Sequence, residues 1–162
     1  GVAAIAAGLD VGFSETDIRL AGQPVGDAIR GEEISAGASQ VAALPAVREA
    51  LLFRQRAFNT LPGLVGDGRD MGSIVFPRAA LKVFLTASAE ARAERRYKQL
   101  IEKGFSANLP DLLLDLKQRD ERDSQRSVAP LRQEPDARLL DTTFLTIDQA
   151  VKQVLMWFRE AK

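Results

Sequence analysis

Arginine and aspartate recur at close spacing in two places in this chain. One is QRDERDSQRS, residues 118–127, which holds Arg119, Asp120, Arg122, Asp123 and Arg126. The other is GDGRD, residues 66–70, which holds Asp67, Arg69 and Asp70. Guanidinium groups present planar forks of donors that match phosphate, and nearby carboxylates can hold those forks in place or accept from ligand hydroxyls. The chain has no histidine and no cysteine. The usual neutral-pH base, the commonest metal ligand, thiolate chemistry and disulfides are therefore all excluded. What remains is chemistry that runs on Arg, Lys, Asp, Glu, Ser or Thr, and anion binding fits that set.

The first charged stretch follows LPDLLLDLK directly. Leu109, Leu112, Leu113 and Leu116 recur at helical spacing and define one buried face. Continuing the rotation of about 100° per residue puts Arg119, Asp120 and Asp123 on that same face, with Arg126 at its edge and Arg122 further round. Two readings follow. Either the helix emerges from the body with Arg119 and Asp123 as a solvated i, i+4 pair, or it turns its charges into a cleft that holds an anion. In GDGRD, the short apolar run LVGD reads as a strand ending at Asp67. The carboxyl ends of parallel strands are where α/β sheets bind ligands. The plainer alternative is an Asp–Arg pair bracing a glycine turn.

The elements that must position these residues change in character along the chain. LDVGF and DIRLAGQPV read as short antiparallel strands. GVAAIAAGL reads as the tail of a helix. EEISAGASQVAAL and AVREALLFRQRAF read as helices, the first stopped near Pro45. From Leu64, the runs LVGD, LKVFL and ARLLD read as strands of a covered parallel sheet, alternating with helices. Ser88 caps AEARAERRYKQLIEK, which ends at Gly104. Asn108 caps the leucine helix, which is expected to end at Pro130. Thr146 and Gln149 form a capping box for the last helix.

Composition narrows the partners. Lysine plus arginine and aspartate plus glutamate number 22 each, so no global basic field points to nucleic acid or to a membrane surface. No apolar run approaches the roughly 20 residues that span a bilayer. A reducing, cytoplasmic setting is the expectation.

DGRDMGSIVFP, RRYKQLIEKGF and QRDERDSQRSVAPL resemble bacterial cytidylate kinase, the CMP/dCMP kinase of the nucleoside monophosphate kinase group. SQVAALPAVREALLFRQRAF is similar to the monophosphate-binding region of that family. The resemblance implies an α/β fold of P-loop nucleoside monophosphate kinase type: a three-layer parallel sheet, incomplete here, with a small β-rich monophosphate-binding insert. Residues 1–62 would be the insert, a small antiparallel sheet plus two helices. Residues 63–162 would be the core α/β domain, with a lid over about 104–130. The family opens on a strand, a Walker A phosphate loop and a helix, and these 162 residues contain no G-x-x-x-x-G-K-[ST]. An N-terminal truncation is therefore the expectation, and with it a chain that is inactive alone but monomeric at full length.

The resemblance also distributes roles. It implies transfer of a phosphoryl group from ATP, with Mg2+, to CMP or dCMP. Ser39 and Arg48 match the cytosine-recognition positions; without the family they read as a helix-packing serine and a solvated arginine. Arg69 matches the arginine that holds the acceptor phosphate, and Asp70 the carboxylate facing base or ribose. Asp67 falls at a position that either meets magnesium through water or braces the glycine turn. Arg119 and Asp123 match a pair on the acceptor sugar. Arg122 and Arg126 match lid arginines that stabilise the transferring phosphoryl. Arg95 and Arg96 are candidates for the ATP phosphates, with a solvated helix face as the alternative. The competing functional reading is a non-enzymatic anion- or nucleic-acid-binding module built on the arginine helix.

Overall fold

A computed structural model describes the chain apart from Glu15, Asp27, Arg126, Val128, Ala129 and Lys162, and apart from the side chains of Arg30 and Glu32. The chain divides into two compact units, Gly1–Gly66 and Asp67–Lys162.

In the first unit, β1 (Val11–Phe13), β2 (Ile18–Leu20) and β3 (Gln23–Pro24) form an antiparallel sheet in that order, with Val11 opposite Leu20 and Leu20 opposite Gln23. Only Ala21 and Gly22 join β2 to β3, at φ 49° and 77°. A two-residue hairpin turn of this hand demands positive φ at both positions. Gly22 adopts it freely, whereas Ala21 pays a steric cost. α1 (Val2–Ala7) packs on α3 (Pro45–Ala57), with Ala6 and Val47 buried. Between them in sequence runs α2 (Glu32–Val41). Pro45 does not merely stop α2: it opens α3 at the first turn, where its fixed φ and missing N–H cost nothing. The Phe13 and Phe58 rings meet edge to face at 5.2 Å, and Arg54 donates from Nη2 to the Val11 carbonyl at 3.4 Å. These contacts join the sheet to α3.

In the second unit, β4 (Val83–Thr86) and β5 (Arg138–Asp141) pair in parallel, Val83 opposite Arg138 through Thr86 opposite Asp141. A parallel pair requires a crossover, and here it consists of α4 (Ala89–Glu102) and α5 (Leu109–Ser124), which pack on each other. The Ser88 hydroxyl accepts from the Ala91 N–H and caps α4. At its other end Gly104, at φ 81°, lets the Phe105 and Gly104 N–H groups donate back to the Leu100 and Ile101 carbonyls. This is the pattern of a Schellman stop. The Asn108 side chain accepts from the Asp111 N–H and starts α5, with Pro110 in its first turn. α6 (Ile147–Glu160) starts on the expected capping box, Thr146 and Gln149 each bonding the other's backbone. Buried Val75, Ala93, Leu112 and Leu140 form the apolar interior of this unit.

Two sequence expectations are corrected. LVGD forms no strand, and Val65 is 98% exposed. A strand persists only where a neighbour takes its N–H and C=O groups, and among the described residues none pairs with 64–67. The parallel sheet among the described residues is therefore the two-stranded β4–β5, inside a mixed α/β chain with two small sheets. α5 also stops before Pro130, with its last helical residue at Ser124.

The helix starts and the core make a stability prediction. Asn108→Ala should cost about 1 kcal/mol, the usual worth of an N-cap. Leu112→Ala should cost about 2–5 kcal/mol, because it empties a buried site. Urea unfolding followed by fluorescence of Trp157, the one tryptophan of the chain, reads the second unit. A Leu112→Ala loss no larger than that of Asn108→Ala would show that α5 does not pack through this leucine.

Candidate active site

α5 carries the charged half of the site, and its buried stripe runs unbroken from leucine to charge. Leu112 and Asp123 are buried, and Leu113, Leu116, Arg119 and Asp120 are half-buried between them. Arg122 is exposed, off this stripe. The helix therefore does not simply emerge into water at its charged end.

Asp123 is 1% exposed. A carboxylate taken that far out of water is tolerable only when paired and hydrogen-bonded. Arg69 supplies the pairing: its Nε donates to Asp123 Oδ2 at 2.9 Å. Arg119, one turn earlier on α5, brings its Nε to 4.0 Å from the same oxygen. The two clusters that looked separate in sequence are thus one cluster, built around a shared carboxylate. Among the described residues the Nε donation is the one hydrogen bond of the Arg69 guanidinium, whose side chain is 39% exposed. Its Nη end is the natural contact for an anion.

The segment bearing Arg69 is shaped by the turn that follows it. Met71–Val75 forms a π-helical turn, in which Val75 and Phe76 donate to the carbonyls of Asp70 and Met71 at 3.1 and 2.7 Å. Such wide turns often accompany functional sites. At Gly68 a Cβ would come within 3.1 Å of the Met71 side chain, so glycine lets the loop close on the turn. Asp70 is half-buried and Asp67 exposed.

A second ion pair braces α5. Arg92 of α4 donates from Nη1 to Asp120 Oδ1 at 2.9 Å and from Nη2 to Asp120 Oδ2. These hydrogen bonds hold the Asp120 carboxyl below its usual range; partial burial opposes them, and the fields of Arg92, Arg69 and Arg119 add to them. The Arg92 guanidinium is pushed up, first by the same hydrogen bonds.

The remaining candidates are placed as follows. Arg95 spends its guanidinium on the turn after β5, reaching the Thr142 hydroxyl and the carbonyls of Thr142 and Thr143. Arg96 is half-buried on α4. In the first unit, Arg48 donates from Nη1 to the Ala42 carbonyl at 2.9 Å, just after α2, and Ser39 is half-buried on α2. Arg126 lies outside the described residues. Arg92 is the residue that sequence reasoning missed. Arg92, Arg95 and Arg96 share one side of α4 at i, i+3 and i+4, and no local signal says which of them meets a carboxylate 28 residues away. Among the described residues no three acidic side chains converge to hold a metal ion, and none of their helices is long and apolar enough to cross a membrane.

The lowered Asp120 carboxyl sets a pH dependence. A depressed folded-state value means stability that is present above the unfolded value and is lost as the pH falls through the folded one. The melting-temperature gap between the protein and its Asp120→Asn variant should be full above about pH 5 and shrink below about 3.9. A gap that persists undiminished into that acid range would show that Asp120 is not the titrating partner of Arg92.

Comparison with known proteins places this geometry in a family. The cytidylate kinase family model matches residues 1–160. A cytidylate kinase of Chromobacterium violaceum is 64% identical over 98% of this chain and 72% of its own length. One of Paraburkholderia phymatum is 61% identical over 93% of this chain and 66% of its own length. One of Bordetella bronchiseptica is 58% identical over 98% and 71%. A match over nearly every residue, with the clustered Arg69, Arg119 and Asp123 inside it, leaves one assignment: the chain belongs to the cytidylate kinase family, phosphotransferases whose fold is of the P-loop nucleoside monophosphate kinase type.

Proposed function

We propose that this chain provides the acceptor side of phosphoryl transfer from ATP to CMP or dCMP. The observation that carries the reading is the Arg69–Asp123–Arg119 cluster, which fixes one edge of Arg69 and leaves its Nη end for a phosphate. Arg69 holds the acceptor phosphate, and Asp70 faces base or ribose. Arg119 and Asp123 serve the sugar: because Asp123 is 1% exposed, a hydroxyl donating to it has to displace part of its existing contacts. Ser39 and Arg48 of the first unit are assigned to the pyrimidine edge. Arg122 and Arg126, in a lid over about 104–130, are assigned to the transferring phosphoryl.

In the reaction an oxygen of the acceptor phosphate bonds to the terminal phosphorus of ATP while the bond from that phosphorus to the bridging oxygen breaks, and ADP leaves. The acceptor oxygen is already anionic. In-line positioning and neutralisation of the equatorial charge are what such a transfer needs, and arginines supply both without a histidine. Magnesium belongs to the ATP complex. Mg2+ is usually held by one or two carboxylates together with the substrate phosphates, and Asp67, exposed ahead of Arg69, is the residue that would meet it through water. Donor recognition is the weaker half of these 162 residues, which contain no G-x-x-x-x-G-K-[ST]. Arg95 and Arg96 are their candidates for donor phosphates, with Arg95 now holding the Thr142 and Thr143 carbonyls.

Isothermal calorimetry on the chain tests this. CMP should bind, ATP should bind very weakly, and cytidine should bind at least about tenfold more weakly than CMP, the scale of a lost charged hydrogen bond. Arg69→Lys should narrow the gap between CMP and cytidine. Tight ATP binding with no response to CMP would refute the reading. Binding of mixed oligonucleotides that falls steeply with salt would favour an anion-binding module instead.

A further inference from the structure

Beyond Leu116, α5 has no apolar side chain left with which to set its rotation: the rest of the helix reads KQRDERDS. Ion pairs must do that there. Lys117 and Glu90 meet at 3.1 Å, but both are more than half exposed, and such pairs hold little. Arg92 is different. It uses every edge of its guanidinium: Nη1 and Nη2 grip both oxygens of Asp120, and Nε donates to the Ala87 carbonyl at 3.2 Å, one residue past the end of β4. The carboxyl end of β4 is thereby tied through one planar group to the point on α5 that lies one turn before Asp123.

We propose that Arg92 and Asp120 are positioning residues for the acceptor site: their two-pronged contact fixes the rotation of α5 so that Asp123 meets Arg69. The consequence for CMP rests on the acceptor-site reading above, whereas the effect on Arg69 does not. Arg92→Lys keeps the charge but has neither the second prong nor the Nε donor. Asp120→Asn keeps the shape and loses the charge. Both should move or broaden the Arg69 Nε–H signal in nitrogen-15 spectra, which reports its bond to Asp123. Both should also weaken CMP binding by about tenfold, the scale of coupling between contacting charged groups. Glu90→Gln, which cuts only the exposed pair between the same two helices, should change neither. If Arg92→Lys and Asp120→Asn lower the melting temperature yet leave the Arg69 signal and CMP affinity as they were, the pair is a strut and the proposal is wrong. If the unaltered protein shows no CMP binding, the acceptor-site reading falls, and the Arg69 signal alone still decides the positioning claim.

Discussion

A carboxylate shut away from water at Asp123 constrains everything around it. Desolvating an ion costs several kcal/mol even after relaxation, and removing the partner of a buried pair typically costs about 3–5 kcal/mol. The buried Asp123 carboxylate therefore depends on charged partners held in place, among them Arg69 and Arg119. That requirement reaches across 54 residues of sequence to a loop that no β-ladder holds. The loop is kept instead by its own π-helical turn, by the close fit of Gly68 on Met71, and by the ion pair itself. An arginine held by a buried acid is pre-organised: part of the ordering cost of any further contact it makes is already met.

α5 joins two kinds of packing on one face. Its first turns bury leucine against the unit's interior, where contact is non-directional and tolerant of small rotations. Its later turns bury charge, where geometry matters to a fraction of an ångström. The two regimes cooperate because the helix is rigid and well started, with Asn108 as its cap, and because α4 packs alongside it between a serine cap and a glycine stop. The leucines bring the helix to the core, and the charges decide its register there.

Much of this was legible in the sequence, for local reasons. The stripe from Leu112 to Asp123, the caps at Ser88, Asn108 and Thr146, and the stop at Gly104 all follow from residue spacing within a turn or two. What was not legible depends on long-range pairing. LVGD has the composition of a strand, but strand formation is a property of two segments, and Val65 is left in solvent. The meeting of Arg69 with Asp123 needed the fold, since each cluster separately reads as a self-contained Arg–Asp pair. Arg92 was invisible for the same reason: an arginine on a charged helix looks solvated until its carboxylate partner is placed beside it.

The strand that is missing at LVGD bears on how the site is supported. Parallel sheets usually bury both faces, yet Leu85 and Leu139 of β4 and β5 are more than half exposed, and so are Ile147 and Val151 of α6. α6 has no buried residue at all among those described. Its contacts include the Thr146–Gln149 capping box at its start and, from β5, Arg138, which lies over the Trp157 ring at 5.5 Å and pairs with Glu160. The charged cluster takes its support elsewhere, from the α4–α5 pair, the Arg92–Asp120 contact and the turn after Asp70. The Arg69–Asp123–Arg119 cluster thus draws on the α4–α5 pair and, through the Arg92 Nε bond to the Ala87 carbonyl, on the end of β4.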